Sequence, residues 1–344
     1  MSRDYRFGQP NDRLFDIIDA TAESDEVVAQ FSQGADLSAR ELLGDRTPSA
    51  GLVSACRDCG YFKANCLGMG VDHTVLELPG LHHAKLRRLS AAGIVDLAAL
   101  PDDFELNEKQ ERVKYAALSG NTLVEPGLAE ALASMEWPCH YLDFETVAAA
   151  LPLFEGFGCH SSLLTQFSVH HRHTFEGDLR HGEFLAEPAR DCQRELADAL
   201  IRELGDQGSI VVYSNYERDR VNGLVQSFPD LSQPLQQIVN RLRDLRAIIA
   251  DHVYHPDFRG SFSIKDVLPV LVPDLSYKGM DIADGGTASM KFARMVRGEI
   301  SGEQIPTTRR QLLDYCKLDT FAMVRFHDAL HGLVAARQGA GRSL

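Results

Sequence analysis

From residue 137 onward the chain switches between two hydrophobic periods, and each switch predicts an element. In His140-Tyr141-Leu142-Asp143-Phe144-Glu145-Thr146 apolar and polar residues alternate. That period of two places Leu142 and Phe144 on one face of a strand and Asp143 and Glu145 on the other. Leu163 to His171 repeats the pattern, with Phe167 and Val169 opposed to Gln166 and Ser168. Glu183-Phe184-Leu185 predicts a third, short strand. Over about 190–204 the period lengthens, because Leu196, Leu200 and Leu204 recur every fourth residue as along one stripe of a helix. Ser209-Ile210-Val211-Val212-Tyr213 is a β-branched run suited to a buried strand. The expected order is three strands, a helix, another strand and further helices, which is an α/β fold.

The N-terminal third is patterned differently. Residues 1–50 scatter short apolar clusters (Leu14-Phe15, Ile17-Ile18) among Gly, Asp and Ser, too thinly for a core of their own. Thr47-Pro48-Ser49-Ala50-Gly51 has the composition of a linker. Residues 51–135 form a cysteine-bearing helical region, in which Glu108 to Ser134 gives polar helices broken at Pro126-Gly127. The main domain is expected over 136–335 and a flexible tail over 336–344.

Composition narrows the class. Of 344 residues, 44% are hydrophobic and 24% charged, ordinary values for a soluble globular protein. No apolar run is long enough to span a bilayer, so no membrane partner is expected. The first residues lack the apolar core of a secretory signal. Seven cysteines, an odd number, suit a reducing compartment, and a cytoplasmic location is expected. A net charge of -14 argues against a surface that binds nucleic acid indiscriminately. Basic groups at Lys85, Arg87 and Arg88, at Arg218 and Arg220, and at Arg241, Arg243 and Arg246 are local flanks for a nucleic acid or plain solvated helix faces.

The chemistry starts from Asp143 and Glu145. Two carboxylates side by side on one strand face repel, and a cation is the natural compensation. Glu217, in Ser214-Asn215-Tyr216-Glu217, follows the buried strand directly, where polar groups face the ligand crevice of an open sheet. Tyr315 and Asp319 are four apart in an apolar helix and share a face. Asp244 is a further candidate from the side. Oxygen donors without clustered His or Cys favour Mg²⁺ or Mn²⁺.

Asp143-x-Glu145, a later acid at Glu217 and Tyr315-x-x-x-Asp319 resemble the three motifs of the DEDD (DnaQ-like) 3'–5' exonucleases in their tyrosine variant. The wording of Tyr141 to Thr146, Pro152 to Gly156, Gln166 to Ser168, Gly260 to Pro269, Asp284 to Ala288 and Tyr315 to Asp319 is similar to a bacterial family called domain of unknown function 2779. The resemblance implies a ribonuclease H-like mixed sheet, three antiparallel strands followed by a helix and a parallel strand, flanked by helices. It implies a hydrolase that cuts phosphodiester bonds at DNA or RNA 3' ends with two Mg²⁺ or Mn²⁺ ions about 3.5–4 Å apart. Asp143 would bridge the ions, Glu145 and Asp319 would complete one site, Glu217 would support the other, and Tyr315 would orient or help deprotonate the attacking water. Phe144, Thr146, Asn215, Ser263 and Lys265 are implied substrate contacts, with Ser263 also a candidate N-cap. The Phe154-Glu155-Gly156-Phe157-Gly158 loop is either a base-stacking edge or a structural turn, and Asp284-Gly285-Gly286-Thr287 either a phosphate cradle or a tight turn. Most DEDD exonucleases carry Asp where this chain has Glu217. The alternative expectation is therefore a catalytically weak nucleic-acid-binding or metal-binding module derived from a nuclease.

Cys56-x2-Cys59-x6-Cys66, followed by His73, is a second candidate metal site. Zinc would be completed by His73, whereas an iron–sulfur cluster needs a fourth cysteine. The segment resembles the C-terminal end of RecB-type (PD-(D/E)XK) nuclease domains, without their upstream cysteine and catalytic acids, so it holds zinc, a remnant iron–sulfur site or nothing. Leu78 to Leu97 reads as two helices around a glycine turn and resembles a helix–hairpin–helix, which grips nucleic-acid backbones without reading bases. A plain helical packing module is the other reading.

Overall fold

The computed structural model describes residues 1–2, 4–43 and 50–340. Two units make up the chain, Asp12–Gly120 and a larger one built from Met1–Asn11 and Asn121–Leu344. These limits differ from the expected 1–50, 51–135 and 136–335.

The smaller unit carries helices α1 (Thr21–Leu43), α2 (Gly60–Asn65), α3 (His83–Ala91) and α4 (Glu108–Ser119). Phe62, Val75, Leu78, Leu86, Leu89, Leu97 and Val113 are buried in it. Asn107 caps α4 by accepting from the Gln110 amide at 3.0 Å, and Gly120 ends the helix at φ 68°, a left-handed turn that glycine takes without cost. The expected helix pair around Gly93 is half realised. α3 is a helix, but Leu97–Ala99 is a three-residue 3-10 turn, because Asp96 caps it and the chain must leave it before Pro101. Most of the expected 47–51 linker lies outside the described residues.

In the larger unit the elements are β1 (Leu123–Val124), α5 (Leu128–Ala133), β2 (Cys139–Val147), β3 (Leu163–Arg172), β4 (Leu179–Leu185), α6 (Gln193–Leu204), β5 (Ser209–Val212), α7 (Tyr216–Ser227), α8 (Ser232–Arg241), β6 (Leu242–Asp244), α9 (Leu245–His252), β7 (Val253–Tyr254), α10 (Ile264–Leu271), α11 (Gly285–Val296) and α12 (Ile305–Ala340). Five strands form a mixed sheet in the order β4-β3-β2-β5-β6. β2 runs antiparallel to β3 and parallel to β5, and β6 adds a parallel edge beside β5. β1 and β7 pair separately. The expected strand–strand–strand–helix–strand order holds, and β6 is an addition that three residues are too few to announce by pattern. α12 continues through 336–340, where a tail was expected, and residues 341–344 lie outside the described set. Among the described residues no helix is long and apolar enough to cross a membrane.

The sheet's two faces are dressed differently. Leu142, Phe144, Phe167, Val169, Ile210 and Val212 pack against Leu196, Leu200, Val221 and Leu235 of α6, α7 and α8. Burying such side chains is the main stabilising term, about 1.5–3 kcal/mol each. The opposite face holds α12 through a polar seam. Gln166 Nε2 donates to the Leu312 carbonyl at 3.0 Å, Ser168 meets Thr320 at 2.9 Å, and Tyr141 meets His327 at 2.7 Å. Arg172 closes the seam with a forked pair to Asp328 at 2.5 and 3.3 Å. Gly208 leads into β5 at φ 76°, and a Cβ there would lie 1.8 Å from the Pro138 carbonyl oxygen, so the β2–β5 approach requires glycine.

Candidate metal centre

Strand β2 offers Asp143 and Glu145 from one face, and that face is the one covered by α12. The seam of Gln166, Ser168 and Tyr141 fixes the rotation of α12, and Asp319 is thereby turned toward the strand acids. Ligand oxygens of Asp143, Glu145 and Asp319 all lie within 4.8 Å of one another. Among the described residues this is the group of three or more His, Cys, Asp or Glu side chains that meets so closely. Asp319 is buried, whereas Asp143 and Glu145 are half-buried and keep an opening to solvent.

Burial without compensation dominates the electrostatics. Burial, then the charges of Asp319, Glu145 and Glu217, holds the Asp143 carboxyl well above its ordinary range. Glu145 is pushed up to about 8 by burial and by Asp319, with Lys265 opposing. Burial raises Asp319 to about 7, against the hydrogen bond from Tyr277 and the charge of Lys265. Three oxygen ligands that resist ionising together form the environment a divalent hard cation relieves, so the donor set fits Mg²⁺ or Mn²⁺.

The surrounding groups come from three segments. Tyr315 lies one turn before Asp319 on α12 and is buried. Burial, then Asp319's charge, keeps its phenol protonated far above the usual tyrosine range. Tyr277, in the loop after α10, donates to Asp319 Oδ1 and has its ring 6.2 Å from that of Tyr315. Cys316 Sγ lies 3.4 Å from Asp143 Oδ2. Sequence reasoning missed Tyr277 and Cys316. A loop tyrosine carries no periodic signal, and only the 315–319 spacing could have drawn attention to Cys316. At the start of α11, Gly285 faces Glu145 closely enough that a Cβ would sit 3.6 Å from Oε2.

Glu217 stands apart from the triad. It is buried at the start of α7, receives a hydrogen bond from Ser214 Oγ at 3.2 Å, and is raised to about 7 by burial, with Asp244 and Asp319 adding to the shift. Asp244 accepts from the Ala247 amide at 3.1 Å as the cap of α9. The second acid pair thus flanks the triad without joining its cluster.

Of the implied substrate contacts, Lys265 is exposed and its charge reaches Glu145 and Asp319. Thr146 hydrogen-bonds the Tyr216 hydroxyl at 2.5 Å, and Asn215 is exposed at the head of α7. Phe144 is a correction. It points to the α6–α8 side and is buried in the core, since neighbours on a strand face opposite ways. Ser263 serves as a cap, donating to Asp266 Oδ2 at 2.6 Å and accepting from the Asp266 amide at 3.3 Å. Asp284 likewise caps α11, accepting from the Thr287 amide and hydroxyl at 2.8 Å each, so the Gly-Gly segment is a helix start.

The cysteine site is also corrected. Cys56, Cys59 and Cys66 do not converge into a ligand group among the described residues. Cys56 Sγ accepts from the Val53 amide at 3.4 Å, Cys59 is exposed, and His73 is engaged by Glu77 at 2.7 Å. Cys56 lies in a 3-10 turn over Ser54–Asp58, and Cys59 and Cys66 bound the short α2.

Residues 140–263 match the model of a family described as a domain of unknown function (DUF2779). The match takes in Asp143, Glu145 and Glu217 and ends before the helix that supplies Asp319. No curated protein and no solved structure matches the chain.

Proposed function

We propose that the larger unit is a ribonuclease H-like domain of the DEDD type and a metal-dependent 3'–5' exonuclease acting on DNA or RNA ends. The observation that carries this reading is the meeting of Asp143, Glu145 and Asp319 within 4.8 Å, with Tyr315 one turn away on the same helix. The order of the motifs along the chain and the strand order of the mixed sheet support it. So does Lys265, a cation beside the acids and a suitable contact for a phosphate.

Asp143, Glu145 and Asp319 are the residues that would hold Mg²⁺ or Mn²⁺. Bound there, the ion supplies charge stabilisation for phosphodiester hydrolysis. Tyr277 holds the Asp319 carboxylate through one oxygen and leaves the other to a ligand. Tyr315, whose phenol stays protonated, orients the attacking water by hydrogen bonding and does not act as its base. Glu217 and Asp244 extend the acidic lining on the α7 side.

One observation favours a second reading, a metal-binding module with weak or no turnover. Glu217 lies outside the close cluster and is held by Ser214, which leaves a second ion with fewer ligands. A 3'-labelled single strand incubated with Mn²⁺ separates the two. The exonuclease reading expects stepwise nucleotide release that is lost in Asp143→Ala; tight Mn²⁺ binding without release from DNA or RNA strands would establish the second reading instead.

A further inference from the structure

A cavity of about 320 Å³ opens between the start of β3, the start of α6 and one side of α7. Its size is at the low end of small-molecule sites, which span ~300–1,000 Å³. Two chains of contact run from its wall to Thr146, the residue after Glu145 on β2. Leu164 in its wall pairs with Thr146 of β2, and Thr146 bonds Tyr216, whose ring lies 5.0 Å from the Arg220 guanidinium that lines the cavity.

Arg220 is the unusual member of this wall. It pairs with no carboxylate among the described residues, and its Nε is buried without a hydrogen-bond partner, so the terminal nitrogens are the ones that can meet a ligand in the cavity. A guanidinium held against an aromatic ring, with donors to spare, is poised for an acceptor-rich ligand. The wall also carries Asp191 and Asp219, with Phe157, Leu224 and Phe228 as its apolar part. Two carboxylates around one arginine disfavour a phosphate, which would add negative charge to a net negative wall. They suit a flat, neutral ring that presents acceptors on one edge and N–H groups on another.

Guanine has this pattern most fully. Its O6 and N7 accept from an arginine fork, while its ring N–H and amino group donate to a carboxylate. Adenine has no second acceptor beside N7 on that edge, and uracil and thymine have a single N–H. We infer that this cavity binds a guanine base through Arg220 and the flanking aspartates. The inference rests on the exonuclease reading and deepens it, since the cavity's wall reaches the strand that carries Asp143 and Glu145.

Two measurements on the full chain test it. Isothermal titration with the four nucleoside monophosphates is expected to give guanosine monophosphate an affinity about tenfold above the others. Arg220→Ala should abolish that preference. Arg220→Lys, which keeps the charge and the packing stem, should abolish it as well, because the fork is lost. Equal affinity for all four nucleotides, or a preference unchanged in both variants, overturns the proposal. The second measurement follows hydrolysis of uridine-only strands in which one guanosine is moved through the last six positions. A rate maximum at one position, absent in Arg220→Lys, places the guanine within the substrate strand; selective titration with uniform rates assigns the cavity to a free guanine nucleotide. Selective binding without any hydrolysis would remove the exonuclease reading and keep the cavity's assignment, and hydrolysis without base preference would do the reverse.

Discussion

Replacing Asp319 by asparagine should stabilise this protein when no divalent ion is present. Asp319 is buried among other carboxyls, and its own is pushed up to about 7 from an ordinary value near 3.9. At about 1.4 kcal/mol per tenfold change in ionisation, ionising it in the folded chain costs up to about 4 kcal/mol. The folded-state value lies above the unfolded one, so the stability tied to this group is complete below about pH 4 and drains away as the pH rises through 7. Asparagine has nearly the same shape, keeps an oxygen to accept from Tyr277, and never ionises. At pH 8 with chelator, Asp319→Asn is expected to gain about 2–4 kcal/mol, or about 5–10 °C in melting temperature. At pH 4 it should gain close to nothing. Mn²⁺ at a hundred times its dissociation constant should lift the wild type by about 2.7 kcal/mol and leave the variant almost unmoved. Melting curves at both pH values, with chelator and with Mn²⁺, check all three statements. A variant that is equally or less stable at pH 8 without metal would refute the picture of crowded, uncompensated acids.

Tyr315→Phe should lower the rate of nucleotide release by about 10²-fold, as loss of a positioning contact does, with Mn²⁺ affinity unchanged in titration. Tyr277→Phe, by freeing the Asp319 carboxylate, should weaken Mn²⁺ binding by about tenfold or more, read by the same titration. Phe144→Ala should cost about 3–5 kcal/mol in urea unfolding, as a core residue does, whereas a mere substrate contact would change the Michaelis constant and spare stability.

Much of this organisation is written in the alternation of side chains. The period of two around Asp143 already puts both acids on the face that later receives a helix, and the spacing of Tyr315 and Asp319 already makes them neighbours. Leu196, Leu200 and Leu204 locate α6 because a four-residue repeat is the helix's own period. Where a role depends on a loop, the pattern is silent, and Tyr277 illustrates this. Its position follows from the path between α10 and α11, which no local period encodes. β6 was invisible for the related reason that three residues cannot display a repeat. The cysteines fail for the opposite reason. Closeness in sequence suggested a cluster, but the three thiols do not converge into a close ligand group. Phe144 shows that a residue between two ligands on a strand is the one least able to share their work.

The polar seam under α12 makes the cation pocket a late acquisition of the growing polypeptide. Cys316 and Asp143, which touch across the pocket, are 173 positions apart, so a ribosome must deliver nearly the whole larger unit before the last ligand can arrive. Until then Asp143 and Glu145 are two half-finished donors with little hold on an ion. On the proposed reading, a product of premature termination upstream of Asp319 would lack one of the three metal ligands, and its activity with it.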